Sequence, residues 1–422
     1  MAMRARAMAA AQTGLALFTF SLIFMQPQIQ FHGFKIIAAD GLFLITFAIW
    51  LLALALGGAR LRWHPFFWLL LLYFAAMANS AIFSPDVRTS MIKLLGTLYL
   101  LSLPVMVLSL VENEDDLRRL MRTWLGATAL LALMALASLV LFAWRPDHPL
   151  LDIALFGFGS LPEGPYPRLR LSFENANMLC HYLSIGLLLA LASRQAGWLP
   201  AASFRILLLA ILVTALFTLS PGLGGLIFCG GLWAALLLRQ SGSRWTKGPA
   251  AVGIAGGLAF LLAAMIAPQV HDTAPFLIHV PFADVGIAPS GRIMTWLGAL
   301  DTLRADPLHG GGLGLGATST LYHAPTRMQV LTDAHNIFLN VGAETGLPGL
   351  VAILLMAAWL AKVAMPSSLE AFGPVRAGLG IAVLGAFIYQ GLTGSFEDAR
   401  HLWVLIGLFL AADAIVRNKR AR

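Results

Sequence analysis

Long apolar runs recur along the whole chain, with short polar or Gly- and Pro-containing breaks between them. A membrane-spanning helix needs about 20 largely apolar residues, and twelve runs approach or reach that length. They cover residues 12–30, 35–57, 66–84, 90–111, 123–144, 176–193, 201–219, 222–238, 250–269, 337–361, 377–395 and 401–417. The pattern predicts an all-α fold: one integral membrane domain over residues 1–422, a helical bundle with about twelve transmembrane helices.

Composition supports this class. Hydrophobic residues make up 59% of the chain and charged residues only 11%, whereas about a quarter of a soluble domain is charged. The net charge of +8 forms no basic stripe with interleaved aromatics, so we expect no nucleic-acid partner. The two cysteines, Cys180 and Cys229, lie inside apolar runs, which favours small core residues over a disulfide.

The distribution of Lys and Arg predicts the orientation. If the N-terminus is cytoplasmic, 18 of the 28 basic residues fall on the cytoplasmic side and 10 on the other. Cytoplasmic loops carry the excess of Lys and Arg in inner-membrane proteins. We therefore expect both termini in the cytoplasm, and two long extracytoplasmic loops, over about 145–175 and 270–335.

The first long loop ends with two arginines and two asparagines at the start of a span: Arg168, Arg170, Asn175 and Asn177. Arginines at the mouth of a membrane helix can extend to lipid headgroups. They also suit a phosphate, whose oxygens the guanidinium binds in a bidentate fork. Both interpretations stay open on the residues alone.

The second long loop contains a short amphipathic helix over about 290–304. Ile293, Trp296, Leu297, Leu300 and Leu303 fall on one helical face, which predicts packing or an interfacial position. Arg292 lies at the N-terminal end of this helix, where the helix dipole favours an anion. The glycine-rich run after Asp306-Pro307, over 310–316, lacks the Lys-Ser/Thr of a Walker loop, and we expect it to be a flexible turn.

The strongest local signal is His335-Asn336 at the start of a span, with Glu344 deeper in the same helix. A neutral imidazole can accept a proton from a sugar hydroxyl, and nearby arginines favour the neutral form. A carboxylate at the depth of Glu344 needs a partner, so we expect it to cap a helix break at Gly346-Leu347-Pro348-Gly349 or to pair with an arginine. Asp40, Lys93 and His181 also lie in or near spans, and we expect structural hydrogen bonds from each. The histidines show no ligand spacing, so no metal site is expected.

These residues resemble the O-antigen ligase and O-antigen polymerase superfamily. The family's His-Asn followed by Glu-x-Gly-x-x-Gly matches His335-Asn336 and Glu344 to Gly349. Its Gly-Arg with a Trp four residues later matches Gly291-Arg292 and Trp296, and its Asp-Pro and Gly-x-Gly-x-Gly match residues 306–307 and 312–316. The specific match covers about 165–350. One departure is Ser220-Pro221-Gly222, where the family usually has Ser-Arg-Gly, an arginine that helps to hold the lipid-linked pyrophosphate.

The resemblance implies a metal-independent glycosyltransferase of the inner membrane, active at its periplasmic face and without a cofactor. The donor would be a glycan on undecaprenyl pyrophosphate, and the acceptor a sugar hydroxyl. His335 would be the general base, and Arg292 would stabilise the leaving group. Arg168, Arg170, Asn177, Asn336 and Glu344 would bind the substrates. Either Arg168 or Arg170 compensates for Pro221, or the donor is bound differently from the ligase pattern.

Three activities are compatible with the sequence. The leading hypothesis is a ligase that transfers a polysaccharide onto lipid A-core. An O-antigen or exopolysaccharide polymerase of the same superfamily, whose acceptor is another lipid-linked glycan, shares the same Arg and His positions. A transporter or flippase fits less well, because transporters place charges near the membrane midplane and often contain repeated halves.

Overall fold

A computed structural model describes residues 2–31, 34–155, 167–241, 247–266, 278–279, 286–287, 291–315, 334–364, 369–393 and 399–420. Within these ranges 79% of the chain is helical. The helices are α1 (Ala2–Ser21), α2 (Ala38–Ala55), α3 (Phe66–Ile82), α4 (Val87–Leu110), α5 (Glu114–Trp144), α6 (Leu151–Ala154), α7 (Ala176–Gln195), α8 (Ala201–Leu216), α9 (Gly222–Ser241), α10 (Lys247–Ile266), α11 (Gly291–Ala305), α12 (Ile337–Ala364), α13 (Leu369–Thr393) and α14 (Arg400–Arg420). Strands β1 (Ile29–Phe31) and β2 (Phe34–Ile36) pair antiparallel, as do β3 (Ile278–His279) and β4 (Gly286–Ile287).

Ten of the described helices are strongly apolar. Six are long and apolar enough to cross a membrane: α2, α4, α5, α7, α12 and α14; the four shorter ones lie within α3, α8, α9 and α10. The protein is an all-α, multi-pass membrane protein, which confirms the predicted class. Each predicted span overlaps one helix, and α6 and α11 lie between spans. The count of twelve crossings stays a prediction.

Several predicted boundaries are wrong. The first span was expected at 12–30, but α1 covers Ala2–Ser21. The helix ends well before Pro27, whose ring removes a backbone donor. Side-chain caps start α4 and α5 earlier than predicted: Asp86 Oδ1 accepts from Thr89 N at 3.1 Å, and Asn113 Oδ1 accepts from Asp115 N at 2.9 Å. These short polar side chains satisfy backbone donors that the first helical turn leaves unpaired.

The core of the bundle is built around α7 and α14. Within their apolar windows, 83% of the α7 residues and 72% of the α14 residues are buried by other parts of the protein. Helices α9 and α10 approach closely through glycines, since a Cβ on Gly257 would lie 2.5 Å from Phe228 N. Small residues permit such contacts between membrane helices. Cys180 and Cys229 are buried and free, which confirms the prediction of core cysteines.

Polar contacts gather at the two ends of the bundle. At one end, Arg376 Nε pairs with Asp413 Oδ1 at 2.6 Å, and Arg62 donates to Val111 O at 2.9 Å. At the other end lie the starts of α2, α4, α7, α12 and α14, joined by the contacts of Lys35, Asp40, Lys93, Glu344 and Arg400. We call this second end the site end, because it holds His335 and Asn177.

Candidate functional site

The start of α12 has a defined local structure. Asn336 caps the helix, since its Oδ1 accepts from the backbone N–H groups of Phe338 at 3.1 Å and Leu339 at 3.2 Å. His335, immediately before the cap, has a φ of 48°. A left-handed conformation is uncommon for a residue other than glycine. Such conformations cluster at functional sites, where the surrounding structure enforces them.

Helix α11 is attached to this entrance. The indole N–H of Trp296 donates to the carbonyl oxygen of Ala334 at 2.9 Å, one residue before His335. Ala299 and Ala343 pack in the same small apolar cluster as Ala334. Arg292 lies in the first turn of α11, as predicted, although its side chain lies outside the described part of the structure. The two halves of the sequence motif, one in α11 and one in α12, are therefore in contact.

The face of α11 that packs against the protein differs from the predicted apolar stripe. Leu297 is 49% exposed, whereas Thr295 and Ala299 are buried. The small side chains of this buried face allow α11 to approach α12 closely. Leu297, which belongs to the predicted apolar stripe, does not pack against the protein. An exposed leucine here is compatible with contact to lipid.

Glu344 pairs with a lysine instead of the expected arginine. Its Oε1 lies 2.6 Å from Lys93 Nζ in α4 and accepts the backbone N–H of Gly314 at 3.2 Å. Both side chains are largely buried, with 14% of Lys93 and 8% of Glu344 exposed. The predicted helix break beside Glu344 is confirmed, because Gly346 has a φ of 69° and a ψ of −165°.

The glycine-rich run is a packed turn in its described part, which ends at residue 315. Leu347 N donates to Pro307 O at 2.8 Å, and Gly311 N donates to Ala343 O at 2.8 Å. Gly310 has a φ of 72°, and a Cβ there would lie 2.5 Å from the backbone of Glu344. The expectation of a flexible turn is therefore wrong for these residues: the turn lies directly on the break in α12.

Asp306 organises the start of this turn. Its Oδ1 accepts from the backbone N–H groups of His309 at 3.0 Å and Leu308 at 3.2 Å. These hydrogen bonds, led by the one from the His309 backbone, lower the pKa of the Asp306 carboxyl. The carboxylate is therefore ionised at neutral pH and holds the turn in place.

A small cleft lies beside the Lys93–Glu344 pair. One face of α12 lines it with Ile337, Asn340, Val341 and Glu344, residues spaced at i, i+3, i+4 and i+7. The other walls come from α3, α4 and α14, through Tyr73, Met77, Lys93, Thr97, Leu100 and Trp403. The cleft combines paired charges with apolar and aromatic side chains at the site end of the bundle.

The two arginines of the first long loop have different surroundings. Arg168 is buried, and its Nε donates to Thr218 O at 3.3 Å, in the turn between α8 and α9. Arg170 donates to Ile153 O at 3.0 Å and Asp152 O at 2.7 Å, which anchors it to α6. Arg168 therefore reaches the turn where Pro221 departs from the family pattern, and Arg170 points to a different part of the loop.

Asn177 and Ser220 meet beside that turn. Ser220 Oγ donates to Asn177 Oδ1 at 2.7 Å, and the Tyr389 hydroxyl donates to Asn177 O at 2.8 Å. The end of α13 connects this group with α12, since a Cβ on Gly391 would lie 2.5 Å from the Phe338 ring. The start of α7 and the start of α12 therefore both contact the last turns of α13.

Polar side chains within the spans form further networks. Arg400 binds Asp40 in a bidentate pair, at 2.7 and 2.8 Å, and the Tyr99 hydroxyl donates to Asp40 Oδ1 at 2.9 Å. His181 Nδ1 lies 3.0 Å from His401 Nε2. These contacts confirm the structural expectation for Asp40 and His181. Sequence reasoning missed Arg400 and the partner of Lys93, because pairs more than 200 residues apart leave no local signal.

The described residues show no group of three or more His, Cys, Asp or Glu side chains that could hold a metal ion. At the site end, a helix entrance with a histidine is joined to a helix that carries an arginine, and another arginine is buried beside the α8–α9 turn.

The fold and these residues define a multi-pass helical membrane protein with polar clusters at one end of its bundle. Residues 204–354 match the family model described as O-antigen ligase. The match confirms the resemblance to the O-antigen ligase superfamily over a stretch that includes Pro221, Arg292, His335 and Glu344, and the family consists of membrane glycosyltransferase-like enzymes. Arg168, Arg170 and Asn177 precede the matched region. No curated protein matches the chain.

Proposed function

We propose that the protein is a glycosyltransferase that moves a glycan from undecaprenyl pyrophosphate to a sugar hydroxyl of lipid A-core. The site would face the periplasm, with the protein in the inner membrane. The observation that carries the proposal is the hydrogen bond from Trp296 to Ala334, because it joins the helix of Arg292 to the residue before His335. A base and a cation on two helices in contact can serve the two ends of one transfer reaction.

His335 acts as the general base in this mechanism. The imidazole accepts the proton of the acceptor hydroxyl as its oxygen forms a bond to the anomeric carbon of the donor sugar. The bond between that carbon and the pyrophosphate oxygen breaks, and the electron pair leaves with the lipid pyrophosphate. Asn336 holds the helix start through its cap, and its amide can bind a sugar hydroxyl.

The arginines stabilise the negative charge that develops on the leaving pyrophosphate. Arg292 is the residue that the family pattern places there, and guanidinium binds phosphate oxygens in a bidentate fork. Arg168 takes the part of the arginine that Pro221 replaces, since its guanidinium reaches Thr218 in the same turn. Asn177 lies beside that turn through Ser220 and contributes to donor binding. Arg170 contributes less to donor binding, because its guanidinium donates to backbone carbonyl oxygens of α6.

A polymerase is the second candidate. The family match describes O-antigen ligase, and the superfamily also includes polymerases, whose acceptor is another lipid-linked glycan. The distinction therefore depends on the product that the protein makes.

Purified protein in detergent provides the test. It is mixed with a lipid-linked glycan donor and either lipid A-core or a second lipid-linked glycan, with EDTA and without nucleotide. Glycan attached to lipid A-core supports the ligase, and a longer lipid-linked glycan supports the polymerase. The variant His335→Ala is the control for contaminating enzymes. Absence of both products from folded protein would contradict the proposal, and activity only after metal is restored would remove the metal-independent mechanism.

A further inference from the structure

Lys93 is a buried cation that neither the family pattern nor the proposed reaction uses. It lies in the second turn of α4, and its Nζ is 2.6 Å from Glu344 Oε1. The partner carboxylate is two turns inside α12, on the same helix face as Ile337 and Asn340. A buried carboxylate requires a compensating charge, and the compensating charge here comes from a helix more than 200 residues away in sequence.

The same carboxylate also holds the glycine-rich turn. Glu344 Oε1 accepts the N–H of Gly314 at 3.2 Å, and a Cβ on Gly314 would lie 3.1 Å from Lys93 Cδ. The turn therefore rests on the aliphatic part of the lysine while its backbone binds the carboxylate that the lysine neutralises. Ser90, one turn before Lys93, exchanges hydrogen bonds with Leu313 at 3.0 and 3.1 Å.

The position of this turn matters because of what it connects. It follows α11, which carries Arg292, and it packs on α12 at Glu344, two turns from His335. Three elements, α4, the turn and α12, thus meet at one carboxylate. Movement of the turn would displace the C-terminal end of α11 relative to α12.

We propose that Lys93 is a positioning residue, which acts through Glu344 to hold the glycine-rich turn on α12 and so sets the placement of α11 against the His335 entrance. The proposal rests on the proposed function for its catalytic consequence, and on the contacts alone for its structural one. Lys93 does not touch substrate in this role. Its loss should affect the rate of the chemical step more than the affinity for donor, because misplaced catalytic groups weaken the transition state.

The test begins with Lys93→Met, which keeps an unbranched apolar stem beneath Gly314 and removes the ammonium. Hydrogen exchange of the peptide spanning 306–315 should become at least about tenfold faster, because the local opening of the turn is less costly. In the transfer assay, kcat should fall by about tenfold or more, with KM for the donor within about threefold of native. Lys93→Arg, which restores the cation, should recover most of both.

The control is Lys419→Met, which breaks the Lys419–Glu114 pair at the opposite end of the bundle and should change neither measurement. Should Lys93→Met fail to fold, Glu344→Gln provides a second variant. The amide oxygen of this variant still accepts from Gly314. The hydrogen-exchange rate of the peptide 306–315 should therefore lie between the native rate and the rate expected once the Lys93–Glu344 pair is lost.

The outcomes separate the two proposals. A native hydrogen-exchange rate together with a native kcat in folded Lys93→Met would overturn the positioning role. A rise in KM with unchanged kcat would also overturn it, because that result would mean that Lys93 binds the donor. If the native protein transfers no glycan, the proposed function fails, and the exchange rates still decide whether Lys93 holds the turn.

Discussion

The indole N–H of Trp296 donates to the carbonyl oxygen of Ala334 at 2.9 Å, so that α11 is held to the residue before His335. Trp296→Phe removes this hydrogen bond and keeps an aromatic ring in place. We expect a folded protein whose transfer rate is lower by about tenfold, because the bond is worth about 1 kcal/mol and small displacements of catalytic groups are costly. The rate is measured with purified protein and lipid-linked donor.

Trp68→Phe is the matched control for this variant. Trp68 lies in α3 and is 64% exposed, so its replacement should leave transfer unchanged. Equal rates for the two variants would show that the Trp296 contact has no part in catalysis.

Loss of the proposed base should affect chemistry more than binding. His335→Ala should lower the transfer rate by about two to four orders of magnitude, the usual contribution of general base catalysis, and donor binding should stay near native. The native rate should also fall in acid, because a protonated imidazole accepts no proton. His148→Ala, which changes a histidine of the first long loop, should transfer normally. Near-native turnover by His335→Ala would leave His335 with only a structural role before the helix cap.

The arginines should differ in importance. Arg292→Ala should abolish transfer, and Arg168→Ala should lower it by about a hundredfold, a typical cost of removing one charge-stabilising group. Arg170→Ala should cost less than about tenfold, because that guanidinium is held by backbone carbonyls of α6. Lys at position 168 or 292 should rescue poorly, since an ammonium lacks the bidentate fork.

The role of Arg168 beside Pro221 has its own test. If Arg168 supplies the cation that the family usually has at position 221, then Pro221→Arg in the Arg168→Ala background should restore a large part of the activity. Initial rates for the two single variants and the double variant give the answer. A double variant no more active than Arg168→Ala, with a folded protein, would separate Arg168 from the family's arginine.

The close packing of the glycine-rich turn predicts that alanine substitutions at two glycines will affect the stability of the protein differently. Gly310→Ala should destabilise the protein by at least about 2 kcal/mol, because a left-handed backbone and overpacking each add a cost, and the new Cβ would lie 2.5 Å from the backbone of Glu344. Gly256→Ala in α10 is the control, with open space around its Cβ, and should be neutral or slightly stabilising. Unfolding in detergent compares the two, and similar stabilities would contradict the close packing of the turn.

The orientation of the protein can be tested by labelling. The charge distribution predicts a periplasmic position for residue 320 and cytoplasmic termini. A cysteine at position 320, introduced after both native cysteines are replaced, should react with a membrane-impermeant maleimide in intact spheroplasts. A cysteine near residue 243 should react only after lysis. The reverse pattern would contradict both the orientation and a periplasmic site.

The class of the protein and the elements of its bundle can be predicted from local sequence patterns. Apolar runs are local properties, so each predicted span overlaps a helix, and the His-Asn and Glu-x-Gly-x-x-Gly motif located both the start of α12 and its break at Gly346. The ends of the helices are harder to predict than their positions, because side-chain caps such as Asn113 extend a helix into polar sequence. The predicted first span is wrong for a related reason: apolar residues continue beyond the end of α1.

Which charged side chains pair with one another depends on the tertiary structure. A carboxylate as deep as Glu344 needs a partner, but its pairing with Lys93 instead of an arginine depends on how the bundle brings the Lys93 side chain of α4 to α12. The same holds for Arg400 with Asp40, and for Arg168 at the α8–α9 turn. Each pair joins residues that are far apart in the chain, and the electrostatic energy depends on a distance in space that no local pattern encodes.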